Sequence, residues 1–346
     1  MTTSSSTAWP ENVGPLRGLR VLDLSQQLPG PYATLLLASL GASVVKVEPP
    51  QGDAARHLDP DMFANVNAGK TSMTVDLKTE QGRDVLYLAV RSAHVVIEGF
   101  RPGVVERLHV DYATLRALNP DLIYCSISAY GQSGPLSSHP AHDISLQAIA
   151  GAISPEATLD RIGVPWVDLA TGTTAALAIT ASWHASTGGY LDMSMLDSAL
   201  AWATIKPSAV SAAEPTYGTV TTADGFVVVA LLEDAMWKRL CIALGWRDWE
   251  NDPRFETYRQ RQAAAREIRA RLDKALAGLL TDDVLDLAET HDLPIHRIRR
   301  DTASDAQVQL RLGGHRHVSV PLPASWQSPL TAAPHLNQVL ESYEKA

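Results

Sequence analysis

Leu19-Arg20-Val21-Leu22-Asp23-Leu24 is a short β-rich run, followed by Pro29-Gly30-Pro31, a stretch of helical composition over 32–40, and Ser43-Val44-Val45-Lys46-Val47 leading into Glu48-Pro49-Pro50. Gly41 stands where a helix C′ residue belongs. Strand, helix and strand in that order make one right-handed βαβ unit, the start of a parallel sheet. The alternation continues downstream, with strands expected at 73–77, 94–98 and 122–127 and a helix at 79–92, so the first part of the chain reads as a doubly wound α/β domain.

Residues 168–185 are mostly Ala, Thr, Leu and Ile, and Asp168 is expected as the N-cap of that helix, with the low pKa of a cap. Near Ala213 the pattern changes. A hairpin is expected over 218–232 around Ala223-Asp224-Gly225, then amphipathic helices at 235–244, 262–280 and 282–290. A strand at 311–320 and a helical pattern at 335–344 close the chain. This divides it into a large α/β domain over 1–200, a smaller α+β domain over 201–300, and a last segment over 301–346.

The 346 residues argue for two domains or one large domain with an insertion. With 45% hydrophobic and 19% charged residues, the chain can bury a large core. Its 29 basic and 38 acidic residues give a net charge of −9 without a basic block, which speaks against nucleic acid as a partner. Cys125 and Cys241 lack the spacing of a metal or redox pair and read as buried reduced thiols, which fits a cytoplasmic protein. No signal-peptide pattern and no long apolar run is present, so neither secretion by a signal peptide nor membrane spanning is expected.

The first βα turn reads Ser25-Gln26-Gln27-Leu28-Pro29-Gly30-Pro31 rather than G-x-G-x-x-G, which argues against a dinucleotide enzyme even though Glu48 ends the second strand. P-loop, zincin and G-x-S-x-G patterns are also missing. Arg101 follows the strand at 94–98, at the sheet end where α/β folds bind ligands, and Arg107 lies about one and a half helical turns on. Two guanidiniums there could hold phosphates, or could simply be surface arginines at a helix start. His142, Asp168 and Glu233 each have an ordinary reading as well: a surface histidine, a helix cap and a helix-start acid.

Taken together, residues 15–24 (PLRGLRVLDL), Pro29-Gly30-Pro31, 40–50 (LGASVVKVEPP), Asp76-Leu77-Lys78, 98–108 (EGFRPGVVERL), 119–132, 141–151 and 189–200 resemble the family III CoA-transferase and alpha-methylacyl-CoA racemase family. The resemblance implies a Rossmann-like large domain built from both chain ends, a small domain between them, and an interlocked homodimer. It implies CoA as the thioester part of the substrate, with no permanently bound cofactor and no metal. A CoA site is implied at Leu28, Lys46, Lys70, Val75, Leu77, Arg101 and Arg107. Pro49 stands where many relatives carry arginine, so that phosphate contact would be lost or be replaced by Lys46 or Arg56.

Transferase relatives use an aspartate at the position of Asp168 as a nucleophile that becomes an acyl anhydride and then a CoA thioester. Racemase relatives carry a His-Asp pair, the aspartate, and a glutamate in the small domain. Ala141-His142-Asp143, Asp168 and Leu232-Glu233-Asp234 fill all three racemase positions. On that resemblance His142 and Asp168 would be two bases flanking the α-carbon of a 2-methyl-branched acyl-CoA, and Glu233 would hold the imidazole. Backbone N–H groups at the helix start after Asp168 would stabilise the enolate. Epimerisation is therefore the expected activity. CoA transfer between carboxylic acids is the alternative, and a non-catalytic partner subunit the third.

Overall fold

The computed structural model describes residues 9, 12–153, 163–205, 214–298, 326 and 330–336. The chain divides into two compact units, 1–206 with 315–346, and 207–314. The strand expected at 311–320, most of the helix at 335–344 and the first eight residues lie outside the described residues.

In chain order the first unit contains β1 (Arg20–Asp23), α1 (Pro29–Ser39), β2 (Ser43–Glu48), α2 (Ala55–Leu58), α3 (Pro60–Val66), β3 (Thr71–Thr74), α4 (Glu80–Val90), β4 (Val95–Glu98), α5 (Val104–Arg107), α6 (Tyr112–Leu118), β5 (Ile123–Ser128), α7 (Asp143–Ile149), α8 (Trp166–His184), β6 (Gly189–Ser194) and α9 (Met195–Ile205). The strands form a parallel sheet in the order β3-β2-β1-β4-β5-β6. Strands β2, β4 and β5 are buried along their whole length. That explains why they read as continuous apolar runs rather than alternating ones.

Two cores lie on opposite faces of this sheet. One gathers Val21, Val44, Val95 and Ile123 with α1 and α8; the other gathers Leu22, Val45, Val96 and Tyr124 with α4 and its neighbours. Successive strand residues point to opposite faces, so each strand feeds both layers. The strand expected at 73–77 is shorter and earlier, because Asp76 accepts a hydrogen bond from the Lys78 N–H and turns the chain out of the sheet. Edge strand β6, GYLDMS, alternates exposed and half-buried residues and carried no apolar run to announce it.

Helices α1 and α8 approach closely at Gly172. A Cβ there would stand 2.6 Å from the Pro29 carbonyl oxygen and 2.9 Å from the Tyr32 ring. Gly172→Val should therefore destabilise the protein by about 1–3 kcal/mol through overpacking, read as a fall in the urea midpoint with an unchanged slope. The C-terminal stretch packs on this unit too. The Gly69 N–H donates to the Thr331 carbonyl and the Arg56 guanidinium to that of Pro334.

The second unit holds the antiparallel sheet β7 (Tyr217–Thr221), β8 (Phe226–Ala230) and β9 (Ile295–Arg297), with α10 (Asp234–Ala243), α11 (Arg247–Glu250), α12 (Tyr258–Ala263), α13 (Ala265–Ala277) and α14 (Thr281–Thr290). The hairpin turns at Ala223-Asp224-Gly225 as its sequence requires. The single helix expected at 262–280 is two. A capping box between Thr257 and Gln260 starts α12 early, and the backbone breaks helical geometry at Ala264 before α13 begins. Trp237, Trp246, Trp249 and Phe255 form the aromatic centre of this unit's core, with ring centroids 4.6–6.3 Å apart.

Candidate active site

Strand order in the large sheet reverses between β1 and β4, and the loops leaving their carboxyl ends diverge there. Such a switch point leaves a crevice that α/β folds use for ligands. Two adjoining clefts occupy it. The first, of 470 Å³, is lined by Ser25–Gln27 after β1, Gly99–Pro102 after β4, the end of β5, Ser137, residues 139–142, and Asp168. The second, of 370 Å³, is lined by Val75, Leu77 and Lys78 after β3, by Pro49 and Gln51 after β2, and by Arg107. Leu24, Gln26, Phe100 and Val104 border both.

Asp168 is not the N-cap of its helix. That position is Pro165, which places Asp168 in the first turn. The capping is done from another element: Asp143, in the first turn of α7, accepts hydrogen bonds through Oδ2 from the N–H groups of Val167 (2.7 Å) and Asp168 (3.0 Å). Its other oxygen accepts from the Gln147 side-chain amide. The Asp168 carboxyl, spared the cap, lines the first cleft and accepts no hydrogen bond among the described residues.

This reverses the electrostatic expectation. Burial, and then the negative charge of Asp143, push the Asp168 carboxyl up to about 7. The same contacts remove the enolate site expected at this helix start. The Val167 and Asp168 amides serve Asp143, and the Leu169 N–H donates to the Pro165 carbonyl at 3.2 Å.

His142 is the N-cap residue of α7, exposed, and lines the same cleft as Asp168. Glu233 belongs to the second unit, where it is exposed at the N-cap position of α10 without a side-chain cap bond.

The expected CoA residues separate. Val75, Leu77 and Arg107 line the second cleft, whereas Arg101 lines the first with Asp168. Leu28 is buried as the N-cap of α1 and borders neither. Lys46 and Lys70 are interior ions. The Lys46 ammonium lies 2.9 Å from Asp53 and donates to the Ser25 carbonyl, while Lys70 donates to Asp23, Asn67 and the Pro31 carbonyl. Arg56 is bound to both Glu48 oxygens and stacks 4.1 Å from the Phe63 ring centre. Each of these three cations is paired with a fully buried acid, and none of the three lines either cleft.

Lys78 was overlooked. It is exposed, borders the second cleft with Arg107, and closes the Asp76-Leu77-Lys78 motif already singled out. The positive end of this cleft is therefore Lys78 with Arg107. Arg107→Ala should weaken binding of free CoA about 10- to 100-fold by calorimetry, the loss of a charge-assisted phosphate contact. Arg101→Ala should have the smaller effect on free CoA, since its cleft is the one around Asp168.

The profile of CoA-transferase family III matches residues 16–318, and the chain belongs to that family. Succinate–glutarate CoA-transferase from Agrobacterium fabrum is 34% identical, with 88% of this chain and 86% of that one covered. Acetyl-CoA:oxalate CoA-transferase from Acetobacter aceti is also 34% identical, over 84% of this chain and 86% of its own. Among solved structures, the orthorhombic form of Rv3272 from M. tuberculosis superposes with a TM-score of 0.81 at 30% identity, covering 94% of this chain and 98% of that one. A CAIB/BAIF family protein from Brucella suis gives the same TM-score at 29% identity, over 96% and 99%.

The fold and family are thus those of an enzyme acting on CoA thioesters. No group of three or more His, Cys, Asp or Glu side chains suited to a metal occurs among the described residues. No described helix is long and apolar enough to cross a membrane.

Proposed function

We propose that this chain moves CoA from an acyl-CoA to a free carboxylic acid, with Asp168 as the nucleophile. The observation carrying the reading is the Asp168 carboxyl itself: uncapped, lining a cleft at the switch point of the sheet, in a chain about one-third identical to named CoA-transferases. This reading takes the place of epimerisation as the main one.

The ionised carboxylate attacks the thioester carbonyl, forming an acyl–aspartyl anhydride and releasing CoA thiolate. The thiolate then attacks the aspartyl carbonyl, giving an enzyme–CoA thioester and the free donor acid. An acceptor carboxylate repeats the two steps in reverse, and Asp168 is regenerated. No proton need be moved, which suits a site where the nucleophile is a carboxylate rather than an alcohol. The second cleft, with Lys78 and Arg107, takes the phosphate-bearing part of CoA, and the border residues Gln26 and Phe100 lie along its path to Asp168. The interlocked homodimer belongs to this proposal as the resemblance implied it, whereas Glu233, implied as the holder of the His142 imidazole, belongs to the epimerisation reading.

The names of the relatives make succinate, glutarate and oxalate the first acids to try. With an acyl-CoA and such an acid, the protein should transfer CoA, and hydroxylamine should trap an adduct on Asp168. A second reading, epimerisation, is favoured by His142 lining the same cleft. The two separate in D2O with a 2-methylacyl-CoA. Deuterium at Cα with both epimers accumulating, and no need for an acid acceptor, would replace transfer by epimerisation.

A further inference from the structure

Gln27 is a non-glycine residue with a left-handed backbone, φ 63°, in the turn that lines the cleft of Asp168. Such a conformation persists only where surrounding contacts hold it, and it concentrates at functional sites. Here the contacts come from beneath the cleft. The Gln27 N–H donates to both carboxylate oxygens of Asp53, at 3.2 and 3.3 Å. Asp53 is fully buried, paired with the Lys46 ammonium, and braced by the Ala55 N–H at 2.9 Å. The same ammonium donates to the Ser25 carbonyl at 2.9 Å, and Asp23 accepts from the Ser25 N–H at 3.1 Å. Three buried charges thus hold the backbone on either side of Gln26, at Ser25 and at Gln27.

Asp53 itself borders neither cleft. Gln26 and Gln27 do, and among the described residues no hydrogen bond is found from either side-chain amide. With the helix amides near Asp168 already taken by Asp143, these two amides are unspent donors in the cleft. We propose that Asp53 is a positioning residue, whose carboxylate fixes the Gln27 backbone so that the Ser25–Gln27 turn presents its glutamine amides to the thioester carbonyl attacked by Asp168. The inference rests on the transfer reading above.

Asp53→Asn alone would leave the Lys46 ammonium buried without its partner, so the test compares two uncharged pairs, Lys46→Met/Asp53→Leu and Lys46→Met/Asp53→Asn. Both lose the ion pair and the bond to Ser25. Only the second keeps an acceptor for the Gln27 N–H. The Leu pair should bind free CoA within about threefold of wild type yet lose about tenfold or more in kcat, and the Asn pair should recover most of that loss, since misplaced reacting groups cost rate rather than binding. Hydrogen exchange at the Gln27 amide should be faster in the Leu pair than in the Asn pair.

Equal kcat in the two pairs, with exchange at Gln27 accelerated in one, would overturn the proposal, as would equal exchange. A wild-type protein that transfers no CoA is a failure of the transfer reading instead. In that event the exchange comparison alone still decides whether Asp53 holds the turn.

Discussion

Asp168→Ala should lower the rate of CoA transfer by about 10⁴-fold and abolish the hydroxylamine-trapped adduct, because no other step replaces a missing nucleophile. The wild-type enzyme should also show its nucleophile in the pH profile. With the carboxyl pushed up to about 7 by burial and by Asp143, kcat/KM should rise with pH through that value and level off above it. Asp143→Asn removes only the second cause, so the limb should move to lower pH without reaching the ordinary aspartate value of 3.8.

The same shift acts on stability with the opposite sense. Since the folded-state value lies above the unfolded one, the native protein holds a proton that the unfolded chain releases between about pH 4 and 7, and stability falls as pH rises through that window. Asp168→Asn should therefore be neutral near pH 4 and stabilising above pH 7, by on the order of 1–2 kcal/mol once screening by the open cleft is included. Thermal unfolding at pH 4 and pH 8 checks this. An inactive variant that melts higher is the expected sign of a site whose charge is kept for chemistry at the expense of stability.

Asp23→Leu should be among the most damaging single substitutions, at about 3–5 kcal/mol, because it leaves the fully buried Lys70 ammonium without its carboxylate. The double variant Asp23→Leu/Lys70→Met should regain most of that loss in urea unfolding. Burial works to raise the Asp23 carboxyl, but Lys70 and Lys46, together with bonds from Ser25 and Thr34, more than offset it and hold it at about 2. The folded-state value is thus the lower one. The pair contributes stability above about pH 4 and loses it as pH falls toward 2, so wild-type protein should melt more steeply with acid over that interval than the double variant.

The contrast between these two aspartates shows what was legible in the sequence. The βαβ start was, because continuous apolar runs of strand length and Gly41 after a helical stretch are local signals, and a sheet buried on both faces leaves no polar alternation to confuse them. The hairpin at Asp224-Gly225 was legible for the same reason. Motif resemblance singled out Asp168 and His142, which line one cleft, and Val75, Leu77 and Arg107, which line the next.

Whether a charged residue faces solvent or is spent inside was not legible. Lys46, Lys70 and Arg56 carry the same charge as Lys78 and Arg107, and only the approach of Asp53, Asp23 and Glu48 from other segments separates interior ions from those bordering a cleft. The cap on α8 is of the same kind. Asp143 lies 24 residues before Val167, too far along the chain for any capping pattern to find it, yet its carboxylate caps the helix in place of Asp168 and adds to the burial that pushes the Asp168 carboxyl up to about 7. Sequence by itself determined the βαβ start and the hairpin of the second unit, since hydrophobic period and turn chemistry are properties of neighbours. Tertiary structure alone decided which charges cancel, since ion pairing and desolvation depend on groups that meet only when the sheet is formed.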